Sequence, residues 1–451
     1  MKKDLSRELS GRHVWMMTIG GAIGTGLFLG SGTAIQQAGP SIMGGYLLAA
    51  GFTYLMLRAL GELILADPSK GSFIEVVRTY LGPRWEFIVG WTYWLCWESL
   101  AMTNLTASGI YMHYWFPHVP QWLIVLIFLI ALVAINLTNV GLFARLEAGF
   151  ASIKVIAILA LIAVGIVLLG GHFQVGGQAV ALQNLGLHGG FFPHGMKGML
   201  LCLPMVIFAY TGIEMVGLTA GETKTPEKDI PQAINSIGPQ ISLFYIGALF
   251  VLMCIIPWDR VSVTGSPFVQ VFGALGIKAA ASIINFVVLT AALSSCNSAI
   301  FSTSRIIHSL AQNNQAPAYF GQTNQRNVPL RALLLSSGCL LLIVGLNFVL
   351  PAAVFTIISG VATVSFIFVW IILLICHIKY RQGQAGSDVM TMPLFPVTNW
   401  LTIAFFGVVL VLLLFTPATR LSLFWTIGWF VLIGGASLVF DHKEAVEHAD
   451  W

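Results

Sequence analysis

The chain has 451 residues, of which 57% are hydrophobic and only 9% charged. A soluble protein carries about 25% charged residues, so this charge is too sparse to coat a water-facing surface, and an assembly of soluble domains is excluded. The net charge of +4 is sorted by side rather than pooled in a patch, so it points to no nucleic-acid partner.

The apolar residues come in long runs, such as Trp122 to Ile135 and Ile153 to Leu169. Runs near 20 residues match a hydrocarbon core about 30 Å thick. Hydropathy and the breaks at Gly, Pro and charge clusters predict an all-α integral membrane protein of twelve transmembrane helices in one bundle. In chain order these are 14–36, 41–66, 85–113, 120–138, 145–170, 198–221, 235–257, 280–308, 329–349, 352–378, 397–416 and 421–440. Segments 1–13 and 441–451 read as cytoplasmic tails. Lys2, Lys3, Arg7 and Arg12 precede the first span without a small-residue cleavage site. With both termini inside, Lys197, Arg260, Lys278 and Arg420 are the basic residues left on the outer side. Lys154 lies within the fifth span, and the rest of the 22 lysines and arginines face the cytoplasm. This asymmetry supports a multi-pass protein of the cell inner (plasma) membrane.

The connections are short. Asp67 to Arg84, with Pro68, Gly71 and Pro83, can form a short interfacial helix. His172 to Lys197 is a Gly-rich outer loop, and Glu222 to Pro231 is the most charged internal loop. The six cysteines all fall in apolar segments without a Cys-x-x-Cys pair, and read as small core residues rather than disulfides or metal ligands.

Two spans carry interruptions. The first contains GGAIGTGLFLGSG (20–32), with Ile23, Gly24, Thr25 and Gly26 at its centre. The sixth contains Phe208, Ala209, Tyr210, Thr211, Gly212, Ile213 and Glu214. Backbone freed from helical bonding inside a membrane must be satisfied by a cavity or a ligand. N–H groups at the start of a half-helix can hold a carboxylate, and carbonyls at the end of another can hold an ammonium. Together they would recognise an α-amino acid. The glycines alone also fit small-xxx-small helix packing, Gly20 to Gly24 and Gly26 to Gly30. Interruptions at corresponding places, each with a Thr-Gly step, are the mark of inverted-repeat transporters.

Charges inside the spans are costly and therefore informative. Lys154 either snorkels to the interface or serves as a proton site, since an ammonium in apolar surroundings is expensive and can release its proton. Glu214 follows the sixth-span break and is expected to support it or take part in gating. Glu62, at the end of the second span, is expected to pair with Arg58 at helical spacing. Glu98 lies near mid-membrane in the third span and either keeps its proton or lines water.

Several runs then resemble a known family: GGAIGTGLFLGSG (20–32), AGPSI (38–42), RALGEL (58–63), GWTYW (90–94), IKVIAI (153–158), GIEMVGLTAGETKTPEKDIPQAINSI (212–237) and NSAIFSTSR (297–305). From Arg12 to about Phe440 the chain resembles the amino acid–polyamine–organocation superfamily and, within it, the bacterial amino acid transporter family of proton-coupled permeases. WTYWLCW (91–97), SPFVQVF (266–272) and AAASIINFVVLT (279–290) are most similar to D-serine/D-alanine/glycine permeases. The resemblance implies a LeuT-like 5+5 inverted repeat: a ten-helix core over 14–378, with repeats about 14–170 and 198–378, and two peripheral helices over 397–440. It implies that Ile23, Gly24, Thr25 and Gly26 hold the substrate carboxylate, and that carbonyls around Phe208, Ala209, Thr211 and Gly212 hold the amine. Phe208 closes over the substrate, Ala101, Asn104 and Ala299 line the side-chain pocket, and Lys154 stands where sodium-driven relatives bind sodium, with Ser302 or Thr303 as partners. Many relatives carry an acid at the position of Asn104 and an apolar residue at that of Glu98. The implied activity is proton-coupled import of glycine, alanine and serine, including D-forms, by alternating access, with protons as coupling ion and no other cofactor and no metal.

Other readings remain at this point. The same fold can carry aromatic or other larger neutral amino acids, or act as a non-transporting sensor, although the inner loops are too short for an output domain. An intramembrane enzyme would need a His-x-x-x-His or paired-Asp cluster that the spans lack, and a channel would need a repeated filter loop.

Overall fold

The computed structural model describes residues 23–67, 72–137, 140–171, 173–175, 177–218, 225–276, 278–324, 328–383 and 389–449. The described chain opens on a bend at Ile23 and Gly24, a π-helical turn Gly26–Gly30 and α1 (Ser31–Ala38). A 3₁₀ turn Gly39–Ser41 leads into α2 (Ile42–Ala66). Next come α3 (Phe73–Leu81), α4 (Pro83–Met112), α5 (Gln121–Asn136) and α6 (Val140–Gly170). The sixth predicted span is divided into α7 (Gly195–Leu201), α8 (Leu203–Ala209) and α9 (Met215–Leu218). Then follow α10 (Pro226–Ile255), α11 (Pro267–Ala274), α12 (Lys278–Gln312), α13 (Leu330–Val349), α14 (Val354–Gly383), α15 (Val397–Leu412) and α16 (Pro417–Ala449).

Among the described residues eight helical stretches are long and apolar enough to cross a membrane, and Gln121–Asn136 and Gly195–Ala209 are shorter apolar helices. The surface is that of a protein in lipid. Ile127, Ile166, Val167, Leu342, Phe348 and Val431 are exposed, whereas Lys154, Glu62, Glu86, Glu98 and Glu214 are buried. Hydrogen bonds between helices satisfy many of the buried polar groups. Gln121 donates to Asn347 Oδ1 at 2.6 Å, Asn347 to Thr106 at 3.0 Å, and Asn285 to the Tyr111 carbonyl at 2.8 Å. The centre of the bundle is α4 packed on α12 and α14.

Local chemistry sets the helix starts. Ser72 caps α3 by accepting from Ile74 N at 3.2 Å, and α3 is a short helix within the Asp67 to Arg84 connection. Gly82, at φ +91°, turns the chain so that Pro83 can open α4. Three expectations are corrected. Helix α10 begins at Pro226, within the loop expected over Glu222 to Pro231, because Pro226 occupies the first turn with Glu227 and Asp229, which favour a helix start. Inside the outer loop, β1 (Gln174–Val175) pairs antiparallel with β2 (Gln178–Ala179), strands too short for alternation to signal. Glu62 is not paired with Arg58. Arg58 turns outward to Asn235 Oδ1 at 3.1 Å and to the Thr391 carbonyl. Glu62 points inward, where His377 Nε2 at 2.9 Å, Arg381 Nη1 at 3.1 Å and Met392 N at 2.7 Å surround its carboxylate. Helical spacing put Arg58 within reach, but the packing of α14 and the 389–396 segment supplies better-buried donors.

This cluster ties α2, α14 and the approach to α15 together, since Asn399 contacts His377 Nδ1 at 3.0 Å. Removing one partner of a buried ionic cluster costs about 3–5 kcal/mol. Glu62→Ala is therefore expected to lower the melting temperature in detergent markedly, while Arg58→Ala, at the exposed edge, lowers it far less. Equal melting temperatures for wild type and Glu62→Ala would contradict this account.

Candidate functional site

The described start of the first span touches the end of α8. A Cβ on Gly26 would lie 2.6 Å from Ala209 Cα and 3.0 Å from Ala209 N, so the backbones of the π turn and α8 are in direct contact. Helical bonding stops after Ala209, passes through turns over Tyr210 to Glu214 and resumes at Met215. Gly212 has φ +94°, a conformation that L side chains rarely adopt.

The freed backbone is held by named side chains. Glu214 Oε2 accepts from Gly212 N at 3.2 Å and from Trp370 Nε1 at 3.4 Å, and Oε1 accepts from the Tyr93 hydroxyl at 3.3 Å. Thr211 Oγ1 donates to the Phe208 carbonyl at 2.7 Å, and Tyr245 donates to the Ala209 carbonyl at 3.0 Å. Tyr210 donates to the Tyr46 carbonyl at 3.2 Å. Two of the carbonyls expected to meet an amine thus already accept from protein hydroxyls, and that of Phe208 also accepts from Thr211 N at 3.2 Å.

On the first-span side, Thr25 Oγ1 donates to Asn104 Oδ1 at 3.2 Å, and Asn104 Nδ2 donates to the Leu100 carbonyl at 2.8 Å. A Cβ on Gly24 would meet Ser295 Oγ at 3.5 Å and Asn104 Oδ1 at 3.9 Å. Ser295 in turn accepts from Lys154 Nζ at 3.0 Å. Lys154 is 1% exposed, so it does not snorkel. Its recorded partner is Ser295, about two turns before Ser302, and Thr303 donates to its own helix at Ile300. Cys296 donates to the Ala101 carbonyl at 3.6 Å, which sets Ala101 against α12 near Ala299. Phe208 packs edge-on to Phe355 with centroids 6.4 Å apart.

The structure therefore brings together Gly24, Thr25, Gly26, Asn104, Ala209 and Lys154. Ile23, Ala101, Phe208, Thr211 and Ala299 are buried around them, none more than 2% exposed: the centre is closed. A cavity of about 150 Å³ lies further along α1, lined by Thr33, Gln37, Pro204, Met205, Ser359 and Thr363 among others. Glu62 belongs to the separate cluster described above, and Glu98 makes no hydrogen bond to the residues of the site. Among the described residues no group of His, Cys, Asp or Glu could hold a metal. Sequence reasoning missed Ser295, Tyr93, Trp370 and Tyr245. Ser295 stands two residues before the NSAIFSTSR run, and Tyr93 lies inside the GWTYW run.

A π-helical turn in backbone contact with the interrupted sixth span, beside a buried lysine and within a lipid-facing bundle, fits a membrane transport protein. The amino acid permease family profile matches residues 13–442, and the chain belongs to that family. It is 53% identical to the amino-acid permease AapA of Bacillus subtilis (strain 168), over 96% of this chain and 94% of that one. It is 42% identical to the D-serine/D-alanine/glycine transporter of Escherichia coli (strain K12), over 99% and 96% of the two chains. The "Probable threonine/serine transporter YbxG" of Bacillus subtilis (strain 168) is 41% identical, over 93% and 92%. The family makes the chain a permease and not an enzyme.

The glycines generate a structural prediction. Gly26→Ala drives a methyl into the Ala209 backbone, and overpacking of this kind costs about 1–3 kcal/mol. Gly24→Ala meets only ordinary contacts. Size-exclusion profiles and melting curves in detergent should show Gly26→Ala destabilised and Gly24→Ala close to wild type. The reverse order would mean that the two breaks do not meet as described.

Proposed function

We propose that this permease is a proton-coupled symporter that imports small neutral amino acids, glycine, alanine and serine, with D-forms included, by alternating access. The core over 14–378 works as two inverted repeats, about 14–170 and 198–378. The helices over 397–440 are peripheral, and both tails are cytoplasmic. Substrate carboxylate sits at Ile23 to Gly26, amine at Phe208 to Gly212, and side chain against Ala101, Asn104 and Ala299.

The observation that supports this reading is the close approach of Gly26 to Ala209 at the end of α8, beside the sixth-span interruption, where half-helix N–H groups and carbonyls would meet a substrate. Small size is supported by the alanines and by the names of relatives that handle D-serine, D-alanine and glycine. Threonine is the natural upper limit, given the threonine/serine name of another relative. Proton coupling is supported by Lys154, held on Ser295, which in turn stands 3.5 Å from where a Gly24 Cβ would be. A fixed ammonium at that place takes the role of a bound cation, and its proton exchange changes with access to water.

Radiolabelled uptake into proteoliposomes tests all of this. Uptake of alanine and glycine should rise with outside acidity and be unaffected by sodium. Lys154→Ala should lose accumulation against a gradient far more than it loses substrate binding. If tryptophan or lysine outcompetes alanine, the small-substrate reading fails. If wild-type uptake requires sodium, or Lys154→Ala concentrates substrate as far as the wild type does, the coupling reading fails.

A further inference from the structure

Glu98 has no role in the site just described. It stands at the middle of α4 (Pro83–Met112) and is 1% exposed. Neither carboxyl oxygen has a hydrogen-bond partner among the described residues. This separates it from the other buried acids. Glu62 is held by His377, Arg381 and Met392, Glu214 by Tyr93, Trp370 and Gly212, and Glu86 by Arg78 and Gln315. An ionised carboxylate at this depth would be uncompensated, so the closed conformation accommodates the neutral acid.

The surroundings place this carboxyl close to the candidate site. Cys296 of α12 and Cys339 of α13 are the titratable groups within its electrostatic reach. Among the described residues no ion pair reaches it from α3, α5, α14 or α16. Tyr93, on the same helix, is turned to Glu214 instead. Cys296 donates to the carbonyl of Ala101, one turn along α4 from Glu98, and follows Ser295, the partner of Lys154. Two residues of one helix thus link the buried acid and the buried amine, with the substrate pocket between α4 and α12.

We propose that Glu98 is a second proton-carrying group of the transport cycle, distinct from Lys154. This rests on the symport reading given above. In the closed state the acid keeps its proton. When the α4–α12–α13 seam opens to water on one side, the carboxyl O–H bond breaks, the proton passes to that water, and a carboxylate remains. Exposure to the opposite side returns a proton to the same oxygen. One proton crosses per cycle, and no other co-reactant is needed.

The test uses the full chain in proteoliposomes. Dicyclohexylcarbodiimide adds its C=N bond across the O–H of a neutral, membrane-buried carboxyl. Peptide mapping of the wild type should find the adduct at Glu98 in preference to Glu62, Glu86 and Glu214. Glu98→Gln should retain substrate exchange at equal pH on both sides. Its accumulation ratio should fall by about tenfold for each unit of imposed pH difference, the driving force of one lost proton. The proposal is overturned if Glu98 stays unlabelled, if Glu98→Gln accumulates substrate like the wild type, or if exchange and accumulation fall together, as a packing defect would make them. Acid-driven uptake by the wild type alongside any of these results leaves the symport reading intact. Wild-type uptake that ignores the pH gradient sinks that reading itself.

Discussion

The fold depends on one constraint: no backbone polar group in the hydrocarbon interior can be left to water. A continuous helix meets it by default. The stretch from Tyr210 to Glu214 does not, and its existence rests on Glu214. That carboxylate takes the Gly212 N–H, and Tyr93 and Trp370 from α4 and α14 share its oxygens. Tyr245 of α10 and Thr211 occupy carbonyls at the end of α8. Four helices therefore converge on a single interruption, which explains why α4 and α14 form the centre of the bundle.

The same constraint sorts the buried charges. Glu62 is neutralised in place by a histidine, an arginine and a backbone N–H, in a cluster that fastens α15 to α2 and α14. Such fully partnered groups are fixtures, since breaking them leaves an uncompensated charge. Lys154 is met by a neutral hydroxyl at Ser295, and a hydroxyl stabilises an ammonium far less than a carboxylate does. The bundle thus holds a strongly paired cluster where α15 is fastened to α2 and α14.

Much of this was legible in the sequence, for physical reasons. Hydropathy places the spans because lipid requires about 20 apolar residues whatever the partners, and α13 (Leu330–Val349) follows the expected 329–349 almost residue for residue. The sixth-span break was legible because Gly212 and Glu214 are anomalous in such a run. Partners were not legible. Glu62 and Arg58 are one turn apart, so spacing suggested a pair, yet His377 lies 315 positions away. Ser295 is one hydroxyl among several on α12, and only the rotation of that helix decides which of them Lys154 meets. The half of the first span before Ile23 lies outside the described residues.

The glycine string of the first span, which the sequence left open between helix packing and ligand access, divides between the two. Gly26 is demanded by packing, because its Cβ would collide with the Ala209 backbone. Gly32 is likewise demanded, because a Cβ there would lie 2.5 Å from the Ser262 carbonyl oxygen. Gly30 faces only the flexible end of Met205, which can move aside. Gly24 has ordinary van der Waals room, with its nearest neighbours the polar atoms of Ser295 and Asn104. Neither close packing nor a left-handed backbone calls for glycine there. What a methyl at Gly24 would cover is the polar face shared by Asn104 and the Lys154–Ser295 pair. Packing therefore accounts for glycine at Gly26, where the first span meets α8, and not for glycine at Gly24.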